Sequence, residues 1–235
     1  MKFKTKSIGV TYESTFARIA PEISSESANV ISHLIARIAP RYPIASQNIR
    51  VFPSSVLSEF KIQVDLFGTA GRLEVYVDRF VATFRDASNQ QDVSTIEECL
   101  ALALDGLGDA LPNLPIYADN LLFRLRLDLH SDGVNNNWRL DDYLRNNSFT
   151  NLADEALELL PGIKLALHSK EQGWRMAFDI APAWEDPKNA IVASLQAFFT
   201  AQNGQLSIAD KAKLIGDYTV RFLDAFDLAA VAEKP

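Results

Sequence analysis

The side chains that could do chemistry are few and widely spaced. His33, His130 and His168 stand far apart, without the close spacing of a metal-ligand pair. His33 borders an apolar stripe at helical spacing and reads as structural. His130 and His168 each end an alternating segment, so each could lie at a sheet edge near Asp128 or Asp179, where a perturbed imidazole could transfer protons. Arg124 and Arg126 share one strand face. With Lys61, Lys164 and Arg175 they could line an anion-binding surface if their strands are neighbours, because the guanidinium fork suits carboxylates and phosphates. The candidate binding residues are therefore Arg124, Arg126, Asp128, His130, His168, Arg175 and Asp179. Asp65, Asp128 and Asp179 share the same alternating positions, so a mixed, solvated sheet face is the favoured reading of these residues.

Other chemistry finds less support. There is no Gly-x-Ser-x-Gly elbow, and the glycines at 68 and 71 or at 106 and 108 lack the spacing and Lys-Ser/Thr ending of a phosphate loop. Cys99 lies among Leu100, Leu102 and Leu104, where a small apolar core role is expected. Asp78, Asp86, Asp179 and Asp186 could gather around a hard cation only if the chain folds back on itself; cap, turn and polar-face roles are simpler. No catalytic residue, metal ligand or cofactor is assigned.

These residues must be positioned by strands and helices that the periodicity outlines. Ile8, Val10 and Tyr12 alternate in a short strand. Ser24 or Ser25 can then cap a helix carrying Val30, Ile31, Leu34, Ile35 and Ile38. Alternation returns from Phe60 to Leu66, and a turn at Gly68 to Gly71 leads into Leu73, Val75 and Val77, predicting a hairpin that continues through Phe80, Ala82 and Phe84. Ile96, Leu100, Leu104, Leu107 and Leu111 mark a second helix. Leu121 to His130 is the clearest strand, and a helix is expected within 138–160. A second hairpin follows over 163–180. Asp186 and Pro187 then suit the start of a helix carrying Ile191, Leu195, Phe198 and Phe199, and Ser207 with Asp210 opens a last helix through Ile208, Ile215, Phe222 and Phe226. Phe80, Phe84, Phe123, Phe178, Phe198 and Phe222 are expected in the core.

The chain has 235 residues, 48% of them hydrophobic and 23% charged, with ten glycines and ten prolines, as expected of an ordinary globular chain. Its 23 Lys and Arg against 30 Asp and Glu, a net charge of -7, disfavour loose attraction to phosphate backbones and anionic membranes. Its single cysteine excludes an intrachain disulfide, and no stretch approaches the ~20 apolar residues of a membrane span. A cytoplasmic location is expected.

Lys61 to Asp86 can be laid against Lys164 to Asp186 as an alternating strand, a turn with glycine, a second strand and a helix. Val77-Asp78 then matches Phe178-Asp179, compatible with duplication of a β-β-α unit. Two halves are expected, 1–117 and 118–235, open to being one continuous domain, with a ligand groove where they meet. Arg41-Tyr42-Pro43, Leu140-Asp141-Asp142-Tyr143-Leu144, Phe178-Asp179-Ile180 and the closing aromatic helix resemble a family of uncharacterised bacterial proteins of similar length. That resemblance brings no activity, cofactor or site residue with it.

The fold class expected is α+β, with antiparallel-rich sheets packed by amphipathic helices. The favoured function is a non-enzymatic binding or interaction protein. The alternative is an enzyme or small-ligand receptor with its site between the halves, using His130 or His168 and neighbouring carboxylates. The expected partner is a protein or a small molecule, with a homodimer open, nucleic acid disfavoured and no membrane.

Overall fold

Alternation along the strands sets the architecture, because side chains at every second position must share one face. The computed structural model describes residues 2–85, 93–130, 162–169, 173–185, 190–200, 206–225 and 229–230. The first part contains β1 (Lys2–Phe16), α1 (Glu22–Ser25), α2 (Ser27–Ile38), β2 (Ile49–Phe52), β3 (Lys61–Leu66), β4 (Gly71–Tyr76), β5 (Arg79–Phe84) and α3 (Val93–Ala110). Then come β6 (Ile116–His130), β7 (Ile163–His168), β8 (Trp174–Pro182), β9 (Ala190–Thr200), α4 (Ile208–Ala225) and β10 (Ala229–Ala230).

The strands form one ten-stranded sheet in the order β2-β3-β4-β5-β1-β6-β9-β8-β7, with β10 beside β1. Every pairing along that path is antiparallel, and β10 runs parallel to β1. This is the expected α+β class. β1 and β6, 15 residues each, form the centre, and their pairing carries the sheet from one half of the chain into the other.

The helices cover one face. Val30, Leu34 and Ile38 of α2, Ile96, Leu100 and Leu107 of α3, and Ile215, Phe222 and Leu223 of α4 are buried against strand residues such as Val10, Phe80, Leu121, Phe178 and Leu195. Phe178 lies 4.6 Å from Phe222, ring centre to ring centre, and Trp174 5.3 Å from Tyr218. A Cβ on Gly106 would come within 3.0 Å of the His33 carbonyl oxygen and the Leu34 Cα, so glycine there lets α3 approach α2. Cys99 is buried in α3, and burial followed by the Glu98 charge pushes its thiol up to about 12.

Two expectations need correction. The helix expected after Asp186 is strand β9: Ile191, Ala193, Leu195, Ala197 and Phe199 are buried at every second position, and the segment pairs with both β6 and β8. Ile191, Leu195 and Phe198 satisfy a helical period as well, so the residues fit both templates and sheet pairing decides. The second hairpin is therefore followed by a strand, and the helix of that half among the described residues is α4. In addition, neither Ser24 nor Ser25 caps α2, whose N-terminal flanking residue is Glu26 with no side-chain cap. The helix expected within 138–160 lies outside the described residues, as do Asp86 and Asp186.

No described helix packs on the other face of the sheet, yet it holds one buried acid. Asp65 accepts hydrogen bonds from Arg72 Nε and Gln63 Nε2, 3.0 Å each, and from Arg50. Burial raises its pKa, but the bonds from Arg72, Arg50 and Gln63 outweigh burial and leave the carboxyl below its usual range. The linked stability is therefore fully present above the unfolded-state pKa of about 3.9 and is lost as pH falls through the lower folded value. Asp65→Asn should cost about 1–2 kcal/mol at neutral pH, since Arg50 and Arg72 are half exposed and can turn to water. The variant should also flatten the fall in stability below pH 4, as read by urea midpoints across pH.

Candidate functional site

Three polar side chains that meet in the fold sit on largely apolar stripes. Tyr12 continues the buried face of β1 after Val10. Asp119 lies on β6 at the same parity as buried Leu121, and Lys211 falls between Ile208 and Ile215 on the inner stripe of α4. Their burial has a joint solution. The Tyr12 hydroxyl donates to Asp119 Oδ1 at 2.7 Å, while Lys211 Nζ donates to Oδ2 in an ion pair. Lys211 Nζ also stands 5.6 Å from the centre of the Phe199 ring. Burial first, and then the Asp119 charge, push the Tyr12 phenol well above its usual range, so it acts as a proton-holding donor. Ser14, two residues along the same face, is fully buried.

This network is the floor of a cavity of about 480 Å³. Glu97, Ala101, Leu104 and Asp105 of α3 form one wall, since residues four, seven and eight positions apart share a helix face. Ile116 to Asp119 of β6, Phe199 and Thr200 of β9, and the start of α4 form the rest. Tyr117 stands at the mouth, 61% exposed. Ser207 fixes the α4 end: its Oγ accepts from the Asp210 N–H at 3.1 Å and donates to Asp210 Oδ2 at 2.7 Å, the expected cap. The cavity thus joins α3 from the first half of the chain to β6, β9 and α4 from the second.

Apart from His130, the residues singled out from sequence lie elsewhere, on the sheet face that no described helix covers, here the uncovered face. Arg124 of β6 and Asp179 of β8 both stand opposite Ser194 of β9, and Lys164 stands opposite Asp179. His168 stands opposite Arg175, four strand positions from Asp179. Arg175 places its guanidinium over Phe198 at 5.1 Å, so Phe198 serves the uncovered face and not the core expected of it. Arg126 donates to Glu185 Oε2 at 3.0 Å, with Asp128 4.0 Å away. His130 stands opposite Lys2 at the end of β6, and its side chain lies outside the described residues. His33 Nδ1 donates to the Asn29 carbonyl at 2.9 Å, a structural role.

Sequence reasoning passed over Asp119 and Lys211. A signal for both was present, because each is a charge at an apolar phase of its element. Among the described residues no group of three or more His, Cys, Asp or Glu could hold a metal ion, and no helix is long and apolar enough to cross a membrane.

No family model matches the chain, and no curated protein does. Among solved structures the chain is similar to Methanococcus jannaschii TBP, at 13% identity over 97% of this chain and 99% of that chain, with a TM-score of 0.33. The partner expectation, in which nucleic acid was disfavoured, does not stand beside this neighbour and is withdrawn. Its physical weakness is that a net charge of -7 averages over the whole chain, whereas Arg72, Arg79, Arg124 and Arg175 all fall on the uncovered face. A TM-score this low carries no argument for any partner.

Proposed function

We propose that the protein is a non-enzymatic binding protein whose ligand is a small molecule held in the cavity between α3 and the start of α4. The observation that carries this reading is the cavity itself, built over the buried Tyr12–Asp119–Lys211 network. Its volume falls within the range usual for small-ligand sites, and its walls mix apolar surface with a few fixed polar groups. The floor groups are satisfied by one another, which suits a rigid platform better than a reactive set: Asp119 is occupied by two donors, and Tyr12 holds its proton. We further read the sheet as two halves joined at the β1–β6 pair, since each long strand is flanked on its outer side by a meander that returns to it. On that reading the cavity is the junction of the halves.

A thermal-shift series on the full chain with tyramine, tyrosol and 4-hydroxyphenylacetate tests the proposal, because these probes share a ring and differ in charge. A ligand at a hundredfold excess over its Kd stabilises the native state by about 2.7 kcal/mol, which for a chain of this size shifts Tm by about 5–10 °C. A shift with at least one probe is expected. Failure of all three, and of a broader mixture of small metabolites, would overturn it.

A further inference from the structure

The cavity is unevenly charged. Glu97, Glu98, Asp105 and Asp119 contribute carboxylates, and Lys211 is the one cation among the lining residues. Lys211 is already committed to Asp119, and Glu98 accepts from the Tyr42 hydroxyl at 2.8 Å with Arg41 3.5 Å away. Glu97 and Asp105 have no ion-pair partner among the described residues, and they flank Ala101 and Leu104 along a single wall. The opposing wall is apolar and aromatic, with Tyr117, Phe199 and Ile208. A second observation, independent of the acidic wall, shows how the cavity treats a cation. The Lys211 ammonium rests on a carboxylate and over the Phe199 ring at its floor, the pairing by which aromatic pockets hold amines. The positive end of α4 does not reverse this balance, since Ser207 and Asp210 occupy its first turn.

From this we infer that the ligand is an organic cation, a small amine with an apolar or aromatic body. Its ammonium sits against the acidic α3 wall, at Glu97 or at Asp105, which stand about 12 Å apart along the helix, and its body lies along Tyr117 and Phe199. The inference rests on the cavity being the binding site. The small, uncharged side chain of Ala101 leaves room for the ligand along that wall. The unpaired carboxylates supply the charge, and because both reach toward solvent, the attraction weakens as salt rises.

Calorimetry of the full chain with the same three probes tests the class of ligand. Tyramine should bind about tenfold or more tightly than tyrosol and 4-hydroxyphenylacetate, as expected for one charged hydrogen bond gained or lost. The double variant Glu97→Gln, Asp105→Asn should cut tyramine affinity about tenfold, leave tyrosol affinity unchanged and leave Tm nearly unchanged, since neither residue has an ion-pair partner among the described residues and Asp105 reaches Arg37 only through its charge. Equal binding of the three probes, or preference for 4-hydroxyphenylacetate, overturns the cationic ligand. If none of them binds but another metabolite does, and filling the cavity with Ala101→Trp abolishes that binding, the amine class falls while the cavity stands. Binding of any probe that persists with the cavity filled overturns both.

Discussion

Asp119→Ala should destabilise the fold by about 3 kcal/mol, the lower end of the range for removing one partner of a buried ion pair. Asp119 and Lys211 side chains retain only 9% and 10% of their exposure, so deleting the carboxylate strands an ammonium between α4 and the sheet and also leaves the Tyr12 hydroxyl without its acceptor. The cavity above lets water reach Lys211, which is why the lower end applies. The pair itself need not be a net source of stability, because desolvating two charges offsets much of their attraction. The double variant Asp119→Leu, Lys211→Met should therefore recover most of the loss. Urea midpoints at constant m would read both effects, and a double-mutant cycle would give a coupling of about 2 kcal/mol or more. An Asp119→Ala loss under 1 kcal/mol would mean that the network is solvated and is not a fixed floor.

Ala101→Trp should abolish ligand binding, by about a hundredfold or more, while leaving the fold intact. Ala101 lies on α3 between Glu97 and Asp105 and faces the cavity, so an indole there takes up space and displaces no packed neighbour. The cost to the helix is the small propensity difference between Ala and Trp, a few tenths of a kcal/mol. Tm near that of the parent, together with loss of the probe-induced shift, is the expected pair of results. A ligand that still stabilises the variant is bound somewhere else.

Much of the fold could be read from periodicity. The hairpin from Phe60 to Val77, the stripe of α3 and the Ser207 cap follow from local rules that tertiary structure did not override. β9 could not be settled that way, because its apolar residues satisfy periods of 2 and 3.6 together, and only its neighbours β6 and β8 decide between them. The site was missed for a different reason. Attention to histidines and to arginines on polar strand faces led to Arg124, Arg126, Arg175 and His168, all of which lie on the uncovered face. The informative positions were the polar residues out of phase: Lys211 three residues after Ile208 and four before Ile215, and Asp119 two residues before Leu121 once β6 is extended back to Ile116. What no local pattern could supply was that these two residues, 92 positions apart, meet at one carboxylate.

Backbone amide shifts of the full chain, followed by nuclear magnetic resonance during titration with tyramine, test the binding site most directly. Saturable shifts concentrated at Ala101, Ala118, Thr200 and Ala209 are expected, since these residues come from three separate elements and the start of α4 and share only the cavity. Shifts confined to Arg124, Arg175 and Asp179 on the uncovered face, with the cavity amides unmoved, would contradict a ligand site between α3 and α4.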